Sequence, residues 1–232
     1  MRSMRHLITS DLHLGSHLSQ SQLFQQMLQR LDPSVILVLG GDIIDAPGQP
    51  LPGDHQQALE EIEKRANQNQ VIWIEGNHDE DFRPAETTKI QFKRSHTIEH
   101  HTFITHGDTF DEVMPRNKIF IQLFKFFHNV RIYLGARPIH VADYAKQFAY
   151  LYGFLRRKVM LCAVDHGKQH NFDNVVCGHV HYAEDTLCEG IRYINLGAWT
   201  ESPCMCLLVE DERLQLVSVA DAMTNTSWFT VS

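Results

Sequence analysis

Val35-Ile36-Leu37-Val38-Leu39 is apolar without a break and stops at Gly40-Gly41-Asp42. Val71-Ile72-Trp73-Ile74 repeats the pattern and stops at Glu75-Gly76-Asn77-His78-Asp79. Runs this short, rich in β-branched residues and bounded by turn residues, are strands. Without polar alternation they need cover on both faces, which is the situation of a central strand in a parallel sheet. A third strand, His6-Leu7-Ile8-Thr9-Ser10, ends in Asp11-Leu12-His13-Leu14-Gly15. Between the strands, Leu23, Phe24, Met27, Leu28 and Leu31 have helical spacing over residues 21–31, and Pro33 closes that helix. Ala58, Leu59, Ile62 and Ala66 predict a second helix over about 54–67, after a Pro/Gly-rich loop. Strands alternating with helices argue for a mainly parallel sheet, with chemistry at the C-terminal strand ends.

The second half reads differently. Short strands are expected at 97–100 and 102–105, the latter ending in His106-Gly107-Asp108. A helical segment is expected over about 115–172. Strands resume at 174–177, ending in Gly178-His179-Val180-His181, and continue at 186–188, 192–195, 204–209 and 214–219. There is no internal repeat and no low-complexity tract. At 232 residues the chain is expected to be one domain, with the helical segment as an insertion.

Composition narrows the class. Apolar residues at 43% and charged residues at 21% suit a globular core. No apolar run reaches bilayer length, and the first residues carry no signal-peptide pattern. Five cysteines without a Cys-x-x-Cys pair are read as core residues in a reducing compartment, which predicts a cytoplasmic protein.

The polar turns carry the chemistry. Asp11-x-His13, Gly41-Asp42, Asn77-His78-Asp79, His106-Gly-Asp108 and Gly178-His179-x-His181 each follow a strand. Asp11, Asp42, His13, His106, His179, His181 and Asn77 together offer two carboxylates, four imidazoles and one amide. That mix suits divalent ions such as Mn²⁺, Fe²⁺, Zn²⁺ or Ni²⁺. Seven donors exceed what one tetrahedral ion takes and match two ions sharing a carboxylate. Such pairs support in-line attack on phosphorus. Asp45 and Asp108, beside the donors, are read as partners of ligands rather than ligands. His96, His100 and His101 lie off the motifs and are read as surface or packing residues.

The ordered set D-x-H, G-D, G-N-H-D, H, G-H-x-H resembles the calcineurin-like metallophosphoesterase superfamily over residues 6 to about 200. The resemblance implies an α/β fold, a four-layer αββα sandwich. It also implies that Asp11, His13 and His181 bind the first metal, that Asp42 bridges, and that Asn77, His106 and His179 bind the second. His78 would be the catalytic, unligated histidine and Asp79 would orient it. The expected cofactor is a pair of divalent ions, Mn²⁺ first. A scaffold that has lost catalysis is the least favoured reading, because every expected position is filled.

The net charge of −7 conceals an asymmetry: residues 115–172 carry ten Lys or Arg, two acids and 11 of the 22 aromatics. Within the superfamily this insertion is similar to the one in the UDP-2,3-diacylglucosamine diphosphatase-like branch, where a helical lid holds acyl chains. Ser-Asp-Leu-His-Leu-Gly at 10–15 and Asp42-x-x-Asp45 also resemble that branch, whereas His78 stands where the diphosphatase carries Arg. Three accounts of the insertion follow. It packs on the core as a helical hairpin. Alternatively it is a lid, its apolar face on an acyl group and Arg116, Lys118, Arg131, Arg137, Arg156, Arg157 and Lys158 on phosphate or an anionic membrane at the inner face. The third, a nucleic-acid surface, is disfavoured, since the remaining −15 of charge repels a long polyanion. The expected substrate is a phosphate ester or anhydride, either lipid-linked or a soluble nucleotide or phosphoprotein.

Overall fold

Side-chain alternation along the strands builds the architecture. In β1 (Arg5–Thr9), β2 (Ile36–Leu39) and β3 (Val71–Ile74), Leu7, Leu37, Leu39, Val71 and Trp73 point into one core and Ile8, Val38, Ile72 and Ile74 into another. Both faces are covered, so the runs are apolar throughout. The structure, a computed structural model, describes residues 4–84, 89–111 and 149–230.

The first sheet continues on one side with β4 (Ile90–Lys93) and on the other with β10 (Met205–Glu210) and β11 (Arg213–Ser218), in the order β11-β10-β1-β2-β3-β4. The strands β1 to β4 are parallel, with Leu7 opposite Leu37 and Leu37 opposite Val71. β10 and β11 join antiparallel. The second sheet contains β5 (Ser95–Ile98), β6 (Thr102–Thr105), β7 (Asn174–Cys177), β8 (Glu184–Cys188) and β9 (Ile191–Asn195), in the order β5-β6-β7-β9-β8. Its centre, β6, β7 and β9, is parallel.

Three apolar layers separate four structural layers. Helices α1 (Ser21–Arg30) and α2 (Gly53–Gln68) put Phe24, Met27, Ala58 and Ile62 against the outer face of the first sheet. Between the sheets, Ile8, Val38 and Ile72 meet Ile104, Val176 and Ile194. On the far side, α3 (Ala149–His170) lays Ala163 and Val164 on Val175, Ile191 and Tyr193. This is the expected α/β sandwich, two sheets with helices outside.

Two elements escape the sequence reading. Ile90-Gln91-Phe92-Lys93 is the parallel edge strand β4, and α4 (Val219–Ala222) leads into Trp228 and Phe229, which are buried in the first core. The five cysteines are free, and Cys177, Cys204 and Cys206 are buried, as expected of core residues. Of the expected insertion, α3 packs on the core. Arg116, Lys118, Arg131 and Arg137 lie outside the described residues, as does the apolar stretch 119–127.

Candidate metal centre

β1, β2 and β3 run parallel in one sheet and β6 and β7 run parallel in the other. The turns after them bring the expected donors into one cluster. Asp11, His13 and His181 each place a donor atom within 4.8 Å of the other two; so do Asp11, Asp42 and His106, and His13, Asp42 and His78. His179 Nδ1 lies 3.1 Å from Asn77 Oδ1. The His106 and His179 rings meet edge to face, with centroids 5.3 Å apart.

The backbone is bent to aim these groups. Asp11, His13, Asp42, His179 and His181 all have φ between 49° and 68°, a region L residues seldom enter. Hydrogen bonds hold them there. The Asp11 amide donates to Gly41 O at 2.9 Å and the His13 amide to Asp42 O at 3.0 Å, so the first two turns are stitched together. Asp42 Oδ1 accepts the His78 amide at 2.9 Å, and the Asp11 carboxylate accepts the His179 amide at 3.1 Å. Two glycines allow this closeness: a Cβ on Gly76 would collide with the Asp42 carboxylate, and one on Gly178 with that of Asp11.

The hydrogen bonds also set which nitrogens are lone pairs. His106 Nδ1 lies 3.0 Å from Gly40 O, an atom that can only accept, so Nδ1 carries the proton. Nε2 is then an acceptor, buried without a well-directed hydrogen bond and 3.2 Å from Asp42 Oδ2. His13 Nδ1 lies 2.9 Å from Asp45 Oδ1, which turns its Nε2 toward His181 Nε2 at 3.1 Å. In the neutral His106 ring, the Nε2 lone pair facing the Asp42 carboxylate is repulsive unless a cation or a proton sits between them. A proton is drawn to the same place. Burial disfavours charge on His106, but Asp42 and Asp11 outweigh it and raise its pKa to about 10. Burial likewise opposes ionised Asp42, yet His106, His78 and His13 pull its carboxyl well below the ordinary range. The residues fit a pair of divalent ions.

One expected role is corrected. Asp79 does not touch the His78 ring. Its Oδ2 accepts the Ile43 amide at 2.7 Å and Trp73 Nε1 at 3.2 Å, and its Oδ1 accepts the Gly76 amide at 2.8 Å. Asp79 is buried and ties the second and third turns together. The His78 ring is held instead by Asp45, whose backbone oxygen accepts from Nδ1 at 2.8 Å. Asp45 thus grips His13 through its carboxylate and His78 through its carbonyl.

Three supporting residues went unread in the sequence. Asp111 Oδ2 lies 3.1 Å from His179 Nε2. Asn195, at the end of β9, donates to Gly178 O at 2.5 Å, and the Trp199 amide donates to Asp11 O at 2.9 Å. A signal was present for Asn195: the strand expected at 192–195 ends on this polar residue, just before Leu196-Gly197.

Two sheets whose parallel strands end in one cluster of carboxylates and imidazoles define a metal-binding phosphoesterase scaffold. The family model for calcineurin-like phosphoesterases matches residues 4–183, and the chain belongs to that family. No curated protein sequence matches it. Similar solved structures include Yfce, a phosphoesterase from E. coli, at 16% identity, covering 94% of this chain and 94% of that one with a TM-score of 0.48. A vacuolar protein sorting 29 from Cryptosporidium parvum has 12% identity, 94% and 97% coverage and a TM-score of 0.48. An archaeal phosphodiesterase has 16% identity, 93% and 99% coverage and a TM-score of 0.45.

Proposed function

We propose that this chain is a two-metal hydrolase that splits the phosphoanhydride of a nucleotide-linked lipid of the UDP-2,3-diacylglucosamine type. The observation that carries the hydrolase reading is the convergence of acceptor atoms around Asp11 and Asp42, with the His78 ring beside them. Asp11, His13 and His181 would hold one ion, Asn77, His106 and His179 the other, and Asp42 both. Bound there, two ions of the Mn²⁺ kind supply an activated water and offset charge on the phosphoryl oxygens. His78 donates through Nδ1 to the Asp45 carbonyl, so its imidazolium form is the one with a proton on Nε2 to give the leaving oxygen. Asp45 keeps that ring in place.

The lipid assignment rests on the basic, aromatic insertion and on the 10–15 and Asp42-x-x-Asp45 motifs. In the described part of the insertion, Arg157 is exposed, while Arg156 lies 3.2 Å from Glu184. Among the described residues no helix is long and apolar enough to cross a membrane. Access to a lipid substrate would be peripheral, at the inner face, by a cytoplasmic enzyme. One observation favours a second reading, hydrolysis of a soluble nucleotide or phosphoprotein: His78 replaces the Arg of the lipid branch.

Incubation with Mn²⁺ and UDP-2,3-diacylglucosamine tests the proposal through UMP release. Release that EDTA abolishes is the expected result. No UMP, with turnover of an aryl phosphodiester, moves the assignment to the second reading. No turnover of either leaves a scaffold.

A further inference from the structure

The turn after β7 carries two of the donors, His179 and His181, at φ 68° and 52°. Val180 between them has its amide bonded back to Gly178 O at 2.8 Å. Its carbonyl accepts the Tyr152 hydroxyl of α3 at 2.5 Å. One helical turn further on, the Arg156 guanidinium lies 3.9 Å over the Tyr182 ring, and its Nε is 3.2 Å from Glu184 Oε2. The Tyr152 and Tyr182 rings meet edge to face at 6.4 Å. Residues four apart share a helix face. One face of α3 therefore grips residues 180, 182 and 184 in succession. Further along, buried Val159, Ala163 and Val164 fix the same helix to the second sheet.

We infer that Tyr152 is a positioning residue for the metal pair. Its hydroxyl holds the Val180–His181 peptide, one of the two peptide units that join His179 to His181. In the two-metal reading above, on which this inference rests, those histidines belong to different ions. The orientation of that peptide thus governs both donor sets, and Arg156 backs the same turn through Tyr182 and Glu184. The helical insertion is, on this account, part of what builds the metal centre and not only a cover over it.

Tyr152→Phe removes the hydroxyl and keeps the ring. Mn²⁺ titration of the full chain, followed by electron paramagnetic resonance, should give affinity weaker by about tenfold and loss of the exchange-coupled two-ion signal. Melting in EDTA should be unchanged. Turnover of bis(p-nitrophenyl) phosphate should lose kcat with KM unaltered. Phe154→Ala, at a side chain 55% exposed on the same helix, should change none of these. Wild-type Mn²⁺ affinity and signal in the Tyr152→Phe variant overturn the inference. So does an affinity loss matched by a lower melting temperature in EDTA, which reassigns the hydroxyl to fold stability. A wild-type chain that binds two Mn²⁺ but hydrolyses nothing sinks the hydrolase reading and leaves this one intact. One that binds no Mn²⁺ sinks both.

Discussion

Five donor-bearing residues sit in the left-handed region, each at a cost of about 1–2 kcal/mol to an L residue. The fold tolerates that cost because each is locked by an amide or carboxylate partner from a neighbouring turn. The two residues after Asn77 have separate jobs within this frame. His78 is exposed and hydrogen-bonded to Asp45, and in the proposed scheme it is not an ion ligand. His78→Ala is expected to lower kcat by roughly 10²–10⁴ while metal content, measured by mass spectrometry, stays at two ions; loss of metal would mean the ring is a ligand. Asp79 is buried under amides from two turns. Asp79→Asn turns an NH₂ toward those donors and should destabilise the chain by about 2–3 kcal/mol in urea unfolding. A loss of kcat without a loss of stability would restore the orienting role.

The helices were legible as elements: α1 and α2 begin and end within one residue of the expected 21–31 and 54–67. What their spacing could not reveal is how α2 anchors. Arg65 is buried and donates to Leu31 O at 3.0 Å, Asp32 O at 2.5 Å and Val35 O at 2.6 Å. It closes the carbonyls between α1 and β2. Arg65→Met should leave them unpaired and cost about 3 kcal/mol, visible as a lower urea midpoint with the slope unchanged. A neutral result would mean water replaces the guanidinium freely. The edge strand β4 was missed because Gln91 and Lys93 alternate with Ile90 and Phe92, which resembles a surface segment until β3 pairs beside it. The C-terminal stretch was missed because Trp228 and Phe229 have no period; the bridge of Phe229 to Leu31 and the Asp32 amide on Trp228 O give them a place.

At the scale of the whole molecule, the layer between the sheets also holds His6 of β1 and His96 of β5, their rings 6.5 Å apart. His6 Nδ1 is buried without a hydrogen bond. Burial, then the neighbouring His96, lowers its pKa from 6.5 to about 4. The unfolded chain therefore binds a proton first as pH falls. Stability present above pH 6.5 is lost progressively down to about pH 4, by roughly 3 kcal/mol for this site. His6→Leu should shrink the drop in urea midpoint between pH 7 and pH 5 relative to wild type; an equal drop would place the acid sensitivity elsewhere, in the carboxylates of the metal cluster. At this scale too the division of information is physical. Donor types and their positions just past apolar runs are local properties, so Asp11, His13, Asp42, Asn77, His106, His179 and His181 could be read in order along the chain. So could the two-sided burial of the central strands, because an unbroken apolar run has no solvent face. Which strands end side by side, that Asp45 and not Asp79 holds His78, and that Tyr152 reaches Val180 depend on approaches between residues 28 to 168 apart along the chain, made only when the layers pack. No local pattern encodes such a meeting, because it is the shared core that brings the two segments together.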